Sequence, residues 1–258
     1  MERGGEGRSV RHQSDLPTPQ AIGTEAGRRA VARLNPRKID SRTAPVMFEN
    51  RLAASLLGPL MGAISGASVA RGVSFLKDKL GQPVFGDTIM ITDDPLRLRG
   101  LGSAPFDDEG VATQRRALID KGVLTTWLLN TASARQLGLS TTGHASRGLA
   151  GAPGTSAHNL TLEPGPNTPA ELMGQAGEGL LVTDMFGPSL NANTGDWSVG
   201  VAGWWFERGA LAYPVTEITV AGNLIDIYGR LVPASDLEIR GSSNAPSILI
   251  DGLAIAGR

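Results

Sequence analysis

The sequence contains no cysteine among its 258 residues, and it carries almost no net charge. Without cysteine the chain cannot form a disulfide or a thiolate metal site, so any metal would need histidine or carboxylate ligands. A formal charge of −1 gives no general attraction to nucleic acid or to an anionic membrane surface, and we expect neither as a partner. No apolar stretch follows the charged N-terminus, which argues against a secretory signal. These features together predict a cytoplasmic protein.

Long hydrophobic runs are also scarce. One uncharged run of 19 residues, Leu52 to Ala70, has the length of a membrane-spanning helix. It carries Gly58, Gly62 and Gly66 at four-residue spacing, a pattern seen in tightly packed membrane helices. Pro59 interrupts the run, however, and no second span follows. We therefore favour two buried helical pieces packed through small residues over a membrane span, and we expect no membrane partner.

Glycine and proline are abundant, with 34 and 16 residues, whereas aromatic residues make up only 5% of the chain. This composition predicts many turns and short elements. Apolar residues, at 41%, suffice for a buried core. The predicted fold class is therefore α+β: a β-rich mixed module with antiparallel hairpins and several short helices.

Local patterns predict where these elements lie. Apolar residues at helical spacing predict helices over 20–35, 73–80 and 223–232. A further helix is predicted from Thr168 to about Gly177, because Thr168 and Glu171 can cap its first turn and Pro169 suits that turn. Hairpins are predicted around glycine-containing turns at 120–122 and 208–210. Other strands are predicted at 45–48, 87–94, 179–186, 235–240 and 247–257.

Common enzyme motifs are missing. The sequence has no nucleophile elbow, no P-loop and no dinucleotide-binding glycine motif. Its three histidines, His12, His144 and His158, are far apart in sequence, and no pair has the helical spacing that brings two imidazoles to one zinc. These spacings predict no self-contained zinc site. His144 lies in a polar loop, where an isolated histidine is more often only hydrogen bonded than functional.

Two polar segments are candidates for a site. The acidic cluster Asp107 to Glu109 could bind a divalent cation, but such runs are usually hydrated loop surface, and we favour that interpretation. The loop around Asn193, Asp196 and Trp197 precedes an aromatic strand and could line a substrate cleft. The alternative is that its polar residues form a turn while the aromatic residues fill the core.

Several blocks of sequence, in the same order and at matching spacing, together resemble one family. The blocks are NPRK at 35–38, PFDDEGVATQRRALIDKGVLTTWLLNTASARQLGL at 105–139, STTGHA at 140–145, NTGDWSVGVAGWW at 193–205 and YPVTEITVAGNL at 213–224. They resemble the PmbA/TldE family, once described as modulators of DNA gyrase, over residues 15 to 258. Members carry a further N-terminal α/β domain, so this chain is expected to be a C-terminal part. We expect residues 1–45 to be a lead-in with a helix, and residues 46–258 to form the C-terminal domain.

The resemblance implies what this chain does not do. The sister family TldD binds zinc through an H-E-x-x-x-H helix, in which the glutamate can act as general base. Matching that motif here places Gly58 and Pro59 at its first His and its Glu, and Ala63 at its second His. The sister family's late cysteine ligand has no counterpart near residues 241–244. The resemblance therefore implies no catalytic residue and no metal ligand in this chain.

The implied function is that of a supporting subunit. A TldD-like partner would bring the zinc to a heterodimer that hydrolyses peptides or small unfolded proteins, and this chain would supply packing surface and part of the substrate chamber. Whether this chain is itself an enzyme stays open. Two alternatives remain: a regulatory protein that binds DNA gyrase without proteolysis, and a self-sufficient hydrolase with a site around Asp196 and His144.

Overall fold

A computed structural model describes residues 2–258 as short helices arranged around two main β-sheets. The α-helices are α1 Pro19–Ala32, α2 Asn50–Ala53, α3 Leu57–Ala63, α4 Gly66–Ala70, α5 Thr131–Leu137, α6 Pro169–Ala176 and α7 Leu224–Arg230. The strands are β1 Arg42–Phe48, β2 Ile91–Asp93, β3 Arg116–Asp120, β4 Val123–Leu124, β5 Ala145–Ser146, β6 Gly154–Thr155, β7 Leu160–Leu162, β8 Glu178–Leu190, β9 Asp196–Glu207, β10 Ala210–Asn223, β11 Leu231–Pro233, β12 Ser243–Asn244 and β13 Ile248–Ala256. The predicted α+β class is confirmed.

The larger sheet has six strands in the order β1-β8-β9-β10-β13-β11, and β1 also pairs with β13. Because β1 has a neighbour on each side, parallel β8 and antiparallel β13, the sheet closes on itself. Closure leaves few unpaired edges, which limits pairing with other chains. The interior is filled by alternating apolar residues of these strands, including Val46, Leu180, Val199, Val220 and Ile250.

The smaller sheet has five strands in the order β12-β7-β2-β3-β4, and β5 pairs separately with β6. In it β2 runs antiparallel to both β3 and β7, whereas β12 runs parallel to β7. Its apolar residues join those of the larger sheet in one buried core. The two sheets therefore belong to one packed unit.

The predicted hairpins and capping box are present. Lys121 and Gly122 form the first hairpin turn and Arg208 and Gly209 form the second, and all four have positive φ. Each turn is thus a two-residue turn of the kind that suits the twist of a hairpin, rather than the three-residue turn the sequence suggested. In the capping box of α6, the Thr168 side chain accepts the Glu171 N–H, and Glu171 accepts the Thr168 N–H.

Two predicted elements are wrong. Residues 73–80 form turns instead of a helix, because the Ser74 hydroxyl accepts the Leu76 N–H and the Phe75 N–H donates to Ala192. Residues 235–240 are not a strand, because side chains form the hydrogen bonds of this segment and of its neighbours. Asp236 accepts hydrogen bonds from Ser247, and the Arg240 N–H donates to the side chain of Asn244.

The uncharged run from Leu52 to Ala70 folds into short helical pieces, the longest of which is α3. Among residues 2–258, no helix combines the length and apolarity needed to cross a membrane. Packing through small residues is confirmed only at Gly66, where an added Cβ would lie 2.4 Å from Ser133 Oγ. An added Cβ at Gly58 or Gly62 would meet open space.

The first 45 residues contact the rest of the chain. β1 runs across the expected boundary between residues 45 and 46, and α1 precedes it with Thr18 as its N-cap. Ion pairs join the lead-in to later elements: Arg29 to Glu49, Arg33 to Asp184, Glu6 to Arg240 and Asp15 to Arg99. The division at residue 45 stays a prediction.

Candidate functional site

Helix α3 carries all three positions that the resemblance matches to the sister family's zinc motif. Gly58 and Gly62 are exposed, Pro59 is half-buried and Ala63 is buried. None of these residues has a side-chain atom that could bind a metal or accept a proton. The assignment of Gly58, Pro59 and Ala63 to the motif stays a prediction, and these residues have no chemistry to offer at those positions.

An apolar groove of about 400 Å³ runs along the open side of α3. Gly58, Pro59, Gly62 and Ala63 form one wall, and Trp197 forms part of another. The remaining lining residues are Ser68, Val73, Phe75, Pro188, Leu190 and Ala192. The structure therefore brings together two groups of residues singled out separately in the sequence: those that the resemblance matches to the sister family's metal positions, and the aromatic residue of the polar loop.

The polar loop before β9 has its own hydrogen bonds. Asp196 accepts hydrogen bonds from the Thr194 hydroxyl at 2.7 Å and the Asn223 amide at 3.0 Å, and these two donors lower its pKa. The Asn193 N–H donates to the side chain of Asn191. Asp196 and Trp197 together line a second, shallow cavity, whereas Asn193 lines neither cavity. Asn193 thus helps to form the turn, and the other two border open space.

Trp197 combines a structural and a surface role. Its side chain is 5% exposed, and its ring makes an edge contact with Phe48 with the centroids 6.2 Å apart. Most of the ring therefore belongs to the core, as the alternative interpretation of this loop expected. The remaining edge faces both cavities. The three residues predicted to line a cleft keep that role as a prediction.

A second group of residues converges at the smaller sheet: Asp93, His144 and His158. Asp93 ends β2, His158 lies two residues before β7, and His144 comes from the loop that leads into β5. Since Asp93 stands opposite Leu160 in the pairing of β2 with β7, the sheet places Asp93 beside His158. One potential ligand atom of each side chain lies within 4.8 Å of the other two.

Hydrogen bonds hold this cluster together. Asp93 Oδ2 lies 3.2 Å from His144 Nε2 and 2.9 Å from His158 Nδ1, and Asp93 Oδ1 accepts the His158 backbone N–H at 2.8 Å. His144 Nδ1 lies 2.8 Å from the Thr142 hydroxyl. The side chains of Asp93, His144 and His158 are 0%, 2% and 11% exposed. The cluster is therefore buried, with His158 nearest to solvent.

The charge state of Asp93 follows from these contacts. Burial alone raises the pKa of a carboxyl group, but the hydrogen bonds from His144 and His158 outweigh burial and lower the pKa of Asp93 to about 2. Asp93 is therefore ionised at neutral pH. His144 is paired with Asp93 rather than with Asp196, so the two residues of the hydrolase alternative form no dyad.

Sequence spacing did not indicate this cluster. His144 and His158 come from different loops, and β7, which aligns His158 with Asp93, was not among the predicted strands. The polar STTGHA segment was the only local signal, since both its His144 and its Thr142 take part. The prediction that the chain has no zinc site rested on histidine spacing along helices, a criterion that cannot detect ligands joined by a sheet.

The acidic cluster is structural, as favoured, and only part of it is surface: Asp108 is exposed, Glu109 is half-buried and Asp107 is buried. Asp107 is 4% exposed and accepts backbone N–H groups from Glu109, Val111 and Ala145. Glu109 accepts the N–H and hydroxyl of Thr131 at the start of α5. These carboxylates fix the loops around His144, because Ala145 directly follows it.

Comparison with known proteins places this fold and these residues in a family. Residues 41–257 match the model of the PmbA/TldA metallopeptidase C-terminal domain. The chain is 43% identical to Metalloprotease PmbA of Escherichia coli O157:H7 over 249 residues, which cover 96% of this chain and 53% of that protein. The chain spans about half the length of the curated relatives it matches.

Solved structures agree with this result. A protein from Bacteroides thetaiotaomicron, described as a candidate modulator of DNA gyrase, superposes with a TM-score of 0.88 at 31% identity, covering 98% of this chain and 58% of that one. TldE from Thermococcus kodakarensis has the same fold, with a TM-score of 0.83 at 23% identity over 92% of this chain and 55% of that one. The chain belongs to the PmbA/TldD family of metallopeptidase-related proteins.

Proposed function

We propose that this chain is the subunit of a TldD/TldE-type zinc metalloprotease that does not carry the catalytic zinc. The observation that supports this most strongly is the chemistry of α3, where Gly58, Pro59 and Ala63 line a groove without offering a metal ligand. In the proposed complex, a TldD-like partner supplies the zinc and its general base. The complex is proposed to act on peptides in the cytoplasm.

The groove along α3 is proposed to hold part of the peptide substrate. The absence of side chains at Gly58 and Gly62 leaves room beside the helix backbone, and Trp197, Phe75 and Leu190 offer apolar surface. Apolar concave surfaces of this kind bind side chains by removing them from water. An extended peptide could lie along the groove while a water activated by the partner's zinc would hydrolyse one of its peptide bonds.

A three-way cleavage assay tests the proposed role. Peptide hydrolysis is measured for this chain alone, for an H-E-x-x-x-H-bearing paralogue alone, and for their mixture, each with and without a zinc chelator. We expect cleavage in the untreated mixture only. Co-elution of the two chains in size-exclusion chromatography measures assembly separately, so that a failure to assemble is distinguished from an inactive complex. Cleavage by this chain alone would contradict the proposal.

A groove-filling variant tests the proposed substrate surface. Gly62→Leu places a side chain in open space next to α3, so we expect the chain to fold and assemble while cleavage by the mixture falls roughly tenfold or more. Gly229→Leu is the matched control, because Gly229 is also an exposed helical glycine with open space and lies away from the groove. Equal loss in both variants would argue against a substrate role for the groove.

The regulatory alternative makes a different prediction. A gyrase-binding protein would form a complex with gyrase and would not promote cleavage by any paralogue. If the assembled mixture stays inactive on peptides while this chain alone binds gyrase, the protease proposal is wrong.

A further inference from the structure

The cluster of Asp93, His144 and His158 has a donor set that metal ions use. Two imidazole nitrogens and one carboxylate oxygen are the ligands of many three-residue zinc sites, in which a water completes the coordination. Ligands about 2.0 to 2.1 Å from a tetrahedral zinc lie about 3.3 Å from one another. The contacts of Asp93 Oδ2 with His144 Nε2 and His158 Nδ1, at 3.2 and 2.9 Å, are close to that spacing.

We propose that Asp93, His144 and His158 bind a divalent transition metal of the zinc type, through Asp93 Oδ2, His144 Nε2 and His158 Nδ1. This site lies at the smaller sheet, whereas the groove lies along α3, and it does not depend on the proposed function. Among residues 2–258 it is the one place where three such side chains converge.

The surrounding contacts prepare the ligands for a metal. The Thr142 hydroxyl, 2.8 Å from His144 Nδ1, can accept a proton held on that nitrogen, which leaves the Nε2 lone pair directed at the site. The backbone N–H of His158 occupies Asp93 Oδ1 and leaves Oδ2 for the metal. Metal-binding histidines commonly have such a partner on their second nitrogen, which fixes the ring. His158, partly exposed, offers an entry route from solvent.

Metal binding would replace the two hydrogen bonds to Asp93 Oδ2 with three coordinate bonds, from Asp93 Oδ2, His144 Nε2 and His158 Nδ1. Without a metal, both imidazoles donate to the Asp93 carboxylate. With a metal, the proton on His144 Nε2 moves to Nδ1 and the proton on His158 Nδ1 moves to Nε2, so each imidazole presents a lone pair to the ion, and the positive charge of the ion faces the carboxylate. The bound ion would join the end of β2, the loop before β5 and the segment between β6 and β7, so we expect it to stabilise these three segments together.

Direct titration tests the site. Chelator-treated protein is titrated with ZnCl₂ by calorimetry and with CoCl₂ by visible absorption. We expect one equivalent of each metal to bind, an absorption band typical of four-coordinate cobalt, and a rise in Tm of about 5 °C at saturating zinc. In the proton and nitrogen NMR spectrum of the unaltered chain, zinc should shift the ring signals of two of the three histidines and leave those of His12 unchanged.

Variants separate a metal site from a purely hydrogen-bonded cluster. His158→Asn keeps an amide donor near the position of His158 Nδ1 but removes a good ligand, so zinc should bind at least about tenfold more weakly. His12→Asn is the matched control, because His12 is exposed and is the only histidine outside the cluster, and its zinc affinity should equal that of the unaltered chain.

Three results would overturn the proposal. The first is no saturable binding of ZnCl₂ or CoCl₂ by the unaltered chain. The second is equal affinity in the His158→Asn variant. The third is an NMR response at His12 instead of at His144 and His158, which needs no variant and so holds even if the substituted chain folds poorly.

Discussion

Helix α3 and the buried cluster at the smaller sheet both differ from what the match to the sister family's metal positions alone implies about metal ligands, and they differ in opposite directions. The resemblance matches α3 to the sister family's zinc helix, yet α3 presents Gly58, Pro59 and Ala63 to an apolar groove. The cluster matches no metal position assigned by the resemblance, yet it brings together Asp93, His144 and His158. In this chain, therefore, the position of a segment in the fold does not by itself indicate whether its side chains can bind a metal.

The two regions also differ in how tightly they are built. The cluster is enclosed, and every potential ligand has a hydrogen-bond partner. The groove side of α3 is open, because Gly58 and Gly62 face empty space. A buried polar network loses much stability when one member is removed, whereas an open surface tolerates added atoms. Substitutions in the two regions should therefore have effects of opposite sign.

The largest effect is expected at the centre of the cluster. Asp93→Ala leaves two imidazoles and the His158 backbone N–H without their shared acceptor, so the free energy of unfolding should fall by about 3 to 5 kcal/mol. Urea denaturation of metal-free protein at neutral pH measures this. The exposed Asp87→Ala variant is the control and should change stability by less than about 0.5 kcal/mol. Equal stability of the two variants would show that the cluster does not hold the fold.

A smaller loss is expected where α4 packs against α5. Gly66→Ala would place a Cβ 2.4 Å from Ser133 Oγ and 2.6 Å from Leu129 Cδ2, so the neighbouring side chains must move. Overpacking of this kind should cost about 1 to 3 kcal/mol. Thermal unfolding followed by circular dichroism measures it, and an unchanged Tm would mean that this contact is loose.

The smallest effect, and the only gain, is expected on the groove side of α3. Gly62→Ala adds a methyl group in open space and lowers the entropy of the unfolded chain, so the free energy of unfolding should rise by about 0.5 to 1 kcal/mol. The same denaturation experiment checks the sign. A loss of stability would indicate that the groove is closed in solution.

Sequence patterns predicted the elements whose signals are local. The Thr168 capping box, the turn glycines Gly122 and Gly209, and the apolar pattern of the long strands each depend on residues close in sequence. Residues 73–80 fail because the Ser74 hydroxyl and a contact with Ala192 compete with helical hydrogen bonds, which the apolar spacing does not reveal. Local patterns are therefore sufficient only where no distant group competes.

The candidate site likewise has features that the sequence indicated and features that depend on long-range packing. The resemblance supplied the α3 positions and the polar loop supplied Trp197, but their meeting in one groove depends on how α3 packs against the larger sheet. The cluster depends on the pairing of β2 with β7, which places His158 beside Asp93 although they are 65 positions apart, and on the loop before β5, which brings in His144 from 51 positions away. Short β7 gave no sequence signal of its own. Long-range pairing is the information that single-sequence patterns lack.

The most direct test of where the catalytic chemistry lies uses the assembled complex of this chain with a TldD-like partner. In the TldD-like partner, the glutamate of its H-E-x-x-x-H motif is replaced by glutamine, and peptide cleavage by the complex with this chain is measured in the presence of zinc. Our account predicts that cleavage is lost completely, although the Asp93, His144 and His158 cluster is intact. Zinc-dependent cleavage that persists in this complex would contradict it, because the catalytic chemistry would then lie in this chain.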